Sequence, residues 1–282
     1  MRTISLLLGL YIVICFNANC QSVEPIQPSG ISGIVGINEF KKNKDKPIPT
    51  FAKNRVSMVW VPFSDPKYEN MEGHEATATL VQTQNGIKLL TVLHSVYSSK
   101  SLHRIADEIY VNFFDGDIHR ISVEHLPEKL ESFDSSHDFL FLNLPEKKFQ
   151  EREGIPLKRD CHGHQGEYSA AGIIREKDDY FLSSHDNFII VNRPVDNLSY
   201  TDLDLIGGMS GTPILEKITE GKAALHAIAV AKSPLRNCSP LSKYVITKAN
   251  LDCANFVLRI CEKDYEYQKE LFSVPLHRDE PK

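Results

Sequence analysis

From Val56 onward the chain alternates short apolar runs with polar turns, the texture of strands rather than of helices. Runs at Val56–Val61, Ala76–Gln82, Lys88–Leu93, Ile109–Phe114, His119–Val123 and Phe139–Leu144 form a first group. Asn85-Gly86 and Asp115-Gly116 fall between runs and predict tight hairpins. A polar, charged stretch near Glu146–Asp160 separates these from a second group at Tyr168–Ile174, Phe188–Val191, Pro213–Leu215 and Leu225–Ala231. Strands at this spacing, without helices between them, predict antiparallel barrels rather than β/α units. The two groups of runs predict two barrels with a boundary near residue 150. Phe256, Val257, Ile260 and Tyr267 mark one side of a helix predicted over Leu251–Glu270, ahead of a charged tail.

The first twenty residues differ in kind. An apolar run from Ile4 to Phe16 follows Arg2 and leads into Asn17-Ala18-Asn19-Cys20. It is too short to cross a bilayer and has the length of a secretory signal core, with cleavage expected before Gln21. Export to the periplasm or the exterior follows, with lipid attachment at Cys20 as a lesser alternative that Phe16 and Asn17 fit poorly. Residues 21–50, rich in Pro, Gly and Lys, read as a flexible lead-in. The expected organisation is then 1–20 signal, 21–50 lead-in, 51–150 first barrel, 151–250 second barrel and 251–282 helix and tail. An oxidising destination makes Cys161, Cys238, Cys253 and Cys261 candidates for two disulfides. Within one helix Cys253 and Cys261 would stand about 12 Å apart at ~1.5 Å per residue, beyond the ~7 Å that a disulfide tolerates. Each then pairs with Cys161 or Cys238, in one of two connectivities. A net charge of -5 and a pI near 6.1, with scattered Lys and Arg, argue against nucleic-acid or polybasic membrane partners.

The candidate chemistry lies at the ends of apolar runs. Gly207-Gly208-Met209-Ser210-Gly211-Thr212-Pro213 sets a serine among glycines, ahead of Ile214-Leu215. Acyl transfer needs such a tight turn, with main-chain N–H groups aimed at a developing oxyanion. At average composition, with Gly about 7% and Pro about 5% of residues, a chance match in a chain this long arises roughly once in a hundred. Serine needs a base. His94 closes the apolar run 89–93, and Asp138 opens the run 139–142. A carboxylate there would be partly buried, as required to hold one imidazole tautomer.

These segments resemble those of trypsin-like serine peptidases of the chymotrypsin-fold superfamily. Thr91-Val92-Leu93-His94-Ser95 resembles the family's T-A-A-H-C, and His137–Leu144 its D-I-A-L-L-K-L. Gly208–Pro213 resembles G-D-S-G-G-P, and Ala76–Val81 the small-residue strand before the histidine strand. The likeness covers roughly residues 55–235. It implies two six-stranded barrels with a cleft between them and no metal or organic cofactor. His94 would be the general base, Asp138 its orienting carboxylate and Ser210 the nucleophile, with the N–H groups of Gly208 and Ser210 as the oxyanion hole. The substrate would be a protein or peptide. Asp204, six residues before Ser210, takes the position of the carboxylate that selects Arg or Lys, although Asp202 lies close by.

Departures narrow the resemblance. Ser95 replaces the cysteine after the histidine, and Thr212 replaces a glycine. Met209 replaces the aspartate that pairs with a freed N-terminus, and Gly33 before Ile34-Val35-Gly36 offers no tryptic cleavage point. A buried ammonium without a carboxylate would cost several kcal/mol, so the pattern is closer to bacterial-type members that need no such activation. A catalytically inactive member acting as an extracellular binding module is the main alternative. An α/β-hydrolase fits poorly, since its acid and histidine follow the serine. His162-Gly163-His164 has metal-like spacing but reads as a polar loop beside Cys161. His137 is expected to face solvent, opposite Asp138.

Overall fold

The computed structural model describes residues 52–62, 73–98, 101–114, 118–144, 149, 152–161, 167–176, 179–186, 188, 190–192, 197–201, 203, 205, 208–219, 222–231 and 255–273. Strands β1 (Val56–Val61), β2 (His74–Thr83), β3 (Gly86–Thr91), β4 (Glu108–Asn112), β5 (Ile118–Ser122) and β6 (Leu140–Asn143) form one antiparallel sheet in the order β5-β4-β1-β2-β3-β6. The short β7 (Ile155–Pro156) joins β2 in parallel. The second sheet holds β8 (Tyr168–Glu176), β9 (Asp179–Asp186), β10 (Ile190–Asn192), β11 (Leu198–Thr201), β12 (Pro213–Thr219), β13 (Lys222–Ala231) and β14 (Asn255–Arg259). Its order is β10-β11-β14-β13-β12-β8-β9. Helix α1 (Glu262–Ser273) ends the described chain. The fold is all-β with a C-terminal helix, and each sheet has seven strands where six were expected.

Among the described residues, buried apolar ones pack in four clusters, the smallest being Ala52, Val56, Ala171 and Ile173. Val59, Leu80, Leu89, Ile109 and Leu142 fill the first sheet's interior. Ala170, Ile174, Met209, Ile214 and Val257 fill the second. Between them Leu90, Val92, Phe139 and Ile155 meet Leu215, Leu225, Ile228 and Leu258. The two sheets therefore share an apolar contact, and the ends of β3 and β6 run into it.

Several expectations need correction. The hairpin between β2 and β3 turns at Gln84-Asn85, one position earlier than the Asn-Gly pair suggested. Thr83 pairs with Gly86, which takes a φ of 93°. The Thr83 hydroxyl holds this turn, accepting from Asn85 N and donating to Gly86 O. The helix expected over Leu251–Glu270 divides into strand β14 and helix α1. Val257 and Leu258 are buried on opposite faces of the strand, one in the barrel interior and one in the layer between sheets. An apolar pattern on both faces was mistaken for a helical stripe. Strand β9 was missed because Asp179, Ser183, Ser184, His185 and Asp186 make it polar; it lies at the edge of its sheet. Cys161 and Cys261 form a disulfide, which belongs to one of the two expected connectivities. Cys238 and Cys253 lie outside the described residues, as do the Asp115-Gly116 turn and everything before Ala52.

Helix α1 is tied at two points. Its Asp264 carboxylate accepts from Cys261 N at 2.8 Å, closing the first turn beside the disulfide. Burial pushes this carboxyl up to about 6. Farther along, Gln268 donates to Phe141 O at 2.8 Å and accepts from Phe141 N at 2.6 Å, taking the place of a neighbouring strand at the edge of β6. Both groups would be stranded by truncation. Gln268→Ala should therefore destabilise the fold by about 2–4 kcal/mol, read as a lower midpoint in urea denaturation with an unchanged m-value.

Candidate active site

His94 sits in a single 3-10 turn, Leu93–Ser95, where β3 ends in the layer between the sheets. All three residues of the turn are buried. Ser95, in the place of the family's cysteine, donates its hydroxyl to Val92 O at 2.6 Å and closes the turn without a disulfide. Asp138 follows a second 3-10 turn, Ser135–His137, directly before β6. Its carboxylate is fully buried. One oxygen accepts from His94 N at 3.0 Å, and the other lies 2.6 Å from His94 Nδ1. A carboxylate only accepts, so the imidazole carries its proton on Nδ1 and turns a lone pair outward on Nε2. That nitrogen is 3.2 Å from Ser210 Oγ. The expected His94, Asp138 and Ser210 are brought together in one hydrogen-bonded line.

His137 stands outside this line, as expected, though for a different reason. It belongs to the 3-10 turn rather than to a strand, and its ring lies 4.6 Å from that of Tyr267.

The serine turn is bound to both sheets. Gly208 and Gly211 take φ values of 85° and 89°, the region open chiefly to glycine. Thr212 N donates to Met209 O, and Gly211 N and Ala229 O link the turn to β13 at 2.7 Å. From the first sheet, Thr77 N donates to Ser210 O at 2.7 Å. The Thr77 hydroxyl donates to Gly208 O at 3.0 Å, and Thr91 Oγ1 in turn donates to Thr77 O. Among the described residues the N–H groups of Gly208 and Ser210 have no hydrogen-bond partner. These are the two donors expected to form the oxyanion hole. Met209 is fully buried in the second sheet's apolar core. Its methyl group and Thr212 pack over Gly172, where a Cβ would lie 2.7 Å from Met209 Cε.

Thr77, Thr91, Glu75 and His74 were not singled out from the sequence. The signal available was the small-residue strand 76–81, which marks β2 but not its contacts with a turn far along the chain. His74 opens β2, and burial followed by the charge of His94 holds it down to about 4. Asp204 lies outside the described residues, although its neighbours Leu203 and Leu205 are buried beside Met209. His162 and His164 also lie outside them. Among the described residues Cys161, Cys261 and Asp264 gather potential metal-ligating atoms, but both sulfurs are spent in the disulfide.

The comparisons with known proteins bear on the fold. No protein-family model matches the sequence, and no curated protein matches it significantly. Among solved structures, a Glu endopeptidase in complex with MPD superposes with a TM-score of 0.55 at 14% identity, covering 84% of this chain and 98% of its own. A thermostable serine protease from an extremophilic microorganism gives 0.51 at 14% identity, covering 77% and 98%. The chain has the chymotrypsin-like serine-protease fold. Within that fold, the layer between the two sheets is where the His94, Asp138 and Ser210 segments meet. No helix among the described residues is long and apolar enough to cross a membrane.

The depressed His74 carries a pH signature. Folding keeps its ring neutral, whereas the unfolded chain takes up a proton near 6.5, so the unfolded state binds more protons between about 4 and 6.5. Stability from this residue is complete above that window and is lost as pH falls through it. Asp264, pushed up to about 6, has the opposite sign over most of the same window, so the expected outcome is a difference: as pH falls through it, the Tm of wild type should drop relative to that of His74→Gln in paired thermal denaturations.

Proposed function

We propose that the chain is a secreted serine endopeptidase that cleaves peptide bonds through an acyl-enzyme. The observation that supports this most is the His94 ring, held at 2.6 Å by a buried carboxylate and at 3.2 Å by a serine hydroxyl. Ser210 Oγ attacks the substrate carbonyl carbon as its proton passes to His94 Nε2. The carbonyl oxygen becomes an oxyanion and turns toward the N–H groups of Gly208 and Ser210, each worth roughly 3–4 kcal/mol in such a role. The intermediate collapses when the His94 proton reaches the leaving nitrogen, whose bond to carbon breaks. Water then adds to the acyl carbon as its proton passes to His94, and that proton moves on to Ser210 Oγ as the ester bond breaks and the acid is released. Asp138 keeps the ring in its reactive tautomer throughout and stabilises the imidazolium. Asp204 is proposed as the carboxylate that selects a basic side chain before the cleaved bond, on the resemblance of its position. Residues 1–20 would direct export.

Steady-state hydrolysis of a fluorogenic peptide library tests this reading. Wild-type protein should turn over, and Ser210→Ala should reduce the rate to background while keeping the wild-type melting curve. Asp138→Asn should lower kcat about 10⁴-fold, because the amide favours the wrong tautomer. Turnover that survives Ser210→Ala would refute the site. A folded wild type without turnover would favour a binding module on a protease fold.

A further inference from the structure

Glu75 and Thr77 lie two residues apart on β2 and face the same way, toward the serine turn. Thr77 holds Gly208 O, and Glu75 Oε2 comes within 3.6 Å of where a Cβ on Gly208 would stand. A nearly buried carboxylate, with its side chain only 10% exposed, therefore sits beside a glycine whose N–H is proposed to meet a developing negative charge. Left alone, it would oppose that charge across a short, partly desolvated distance. It is not left alone. The other oxygen, Oε1, accepts from Arg175 Nη1 at 2.9 Å and from the Tyr180 hydroxyl. Arg175 and Tyr180 face each other across β8 and β9, with the guanidinium 5.6 Å above the tyrosine ring. The carboxylate of one sheet is thus neutralised and held by a hairpin of the other.

We infer that Arg175 is a positioning residue for the oxyanion hole: by pairing with Glu75 it cancels the negative charge beside Gly208. The inference rests on the endopeptidase reading and adds a residue to it. It differs from a plain tether in one respect. If neutralisation is the function, removing the carboxylate as well must repair the loss of the arginine; if tethering is the function, it cannot.

The experiment compares wild type, Arg175→Met, Arg175→Gln, Arg175→Lys, Glu75→Gln/Arg175→Met and Ser210→Ala. The readouts are the phosphonylation rate with an uncharged alkyl fluorophosphonate, and kcat and KM on one peptide. Arg175 is half exposed, so its replacements should fold, which melting curves check. Arg175→Met and Arg175→Gln should lose about 30- to 100-fold in phosphonylation rate and in kcat, with KM within about threefold. Arg175→Lys keeps the charge and should stay within about fivefold of wild type. The double variant should react at least about tenfold faster than Arg175→Met. A double variant no faster than Arg175→Met, or a loss confined to KM, overturns the inference while Ser210→Ala, unreactive, leaves the peptidase reading standing. Phosphonylation that persists in Ser210→Ala, or an unreactive wild type, overturns both.

Discussion

Position 211 has to be glycine because β2 passes against it: a Cβ there would lie 2.0 Å from Thr77 O, and the backbone already has a φ of 89°. This close approach holds the rest of the site in place. It lets Thr77 N reach Ser210 O and the Thr77 hydroxyl reach Gly208 O, so a turn belonging to the second sheet takes its shape from a strand of the first. Ser210 Oγ then stands opposite His94, which descends from β3, the neighbour of β2. The distance between Ser210 and His94 is set by strand pairing inside one sheet and by the two hydrogen bonds of Thr77 between sheets.

A second constraint is the burial of Asp138. A carboxylate removed from water is tolerable only when its oxygens are satisfied, and His94 supplies both main-chain and ring donors. The carboxylate cannot drift without stranding itself, which fixes the ring and its tautomer together. Support comes from farther away. Gln268 closes the edge of β6 at Phe141, three residues beyond Asp138, and α1 is fastened by Asp264 and by the disulfide to the segment after β7. The C-terminal segment begins in the second sheet with β14 and ends as a brace on the first.

Much of this was legible in the chain. Asp138, His94 and Ser210 each mark the boundary of an apolar run, and a strand end is where a polar side chain can enter a cleft. The glycines at 208 and 211 declared a turn with unusual angles. What stayed hidden has physical reasons. Thr77 acts through its main chain and one hydroxyl on residues more than a hundred positions away, and nothing local in Ala-Thr-Ala-Thr announces that. Strand β9 is polar because it is an edge. Strand β14 is apolar on both faces because it separates two cores, so its pattern imitates a buried helix. His74 and Glu75 matter only because β2 carries them beside His94 and Gly208. Met209 was readable as a departure from a charged position, and its burial among Ile174, Ile214 and Val257 gives the departure a purpose in packing.

The central claim is that this contact between two sheets makes one particular serine a nucleophile. Peptide mapping by mass spectrometry after brief, substoichiometric treatment with a fluorophosphonate tests it most directly. The account predicts a single adduct, carried by the peptide that contains Ser210. An adduct on another serine or on a tyrosine, or none on protein shown to be folded, would contradict it.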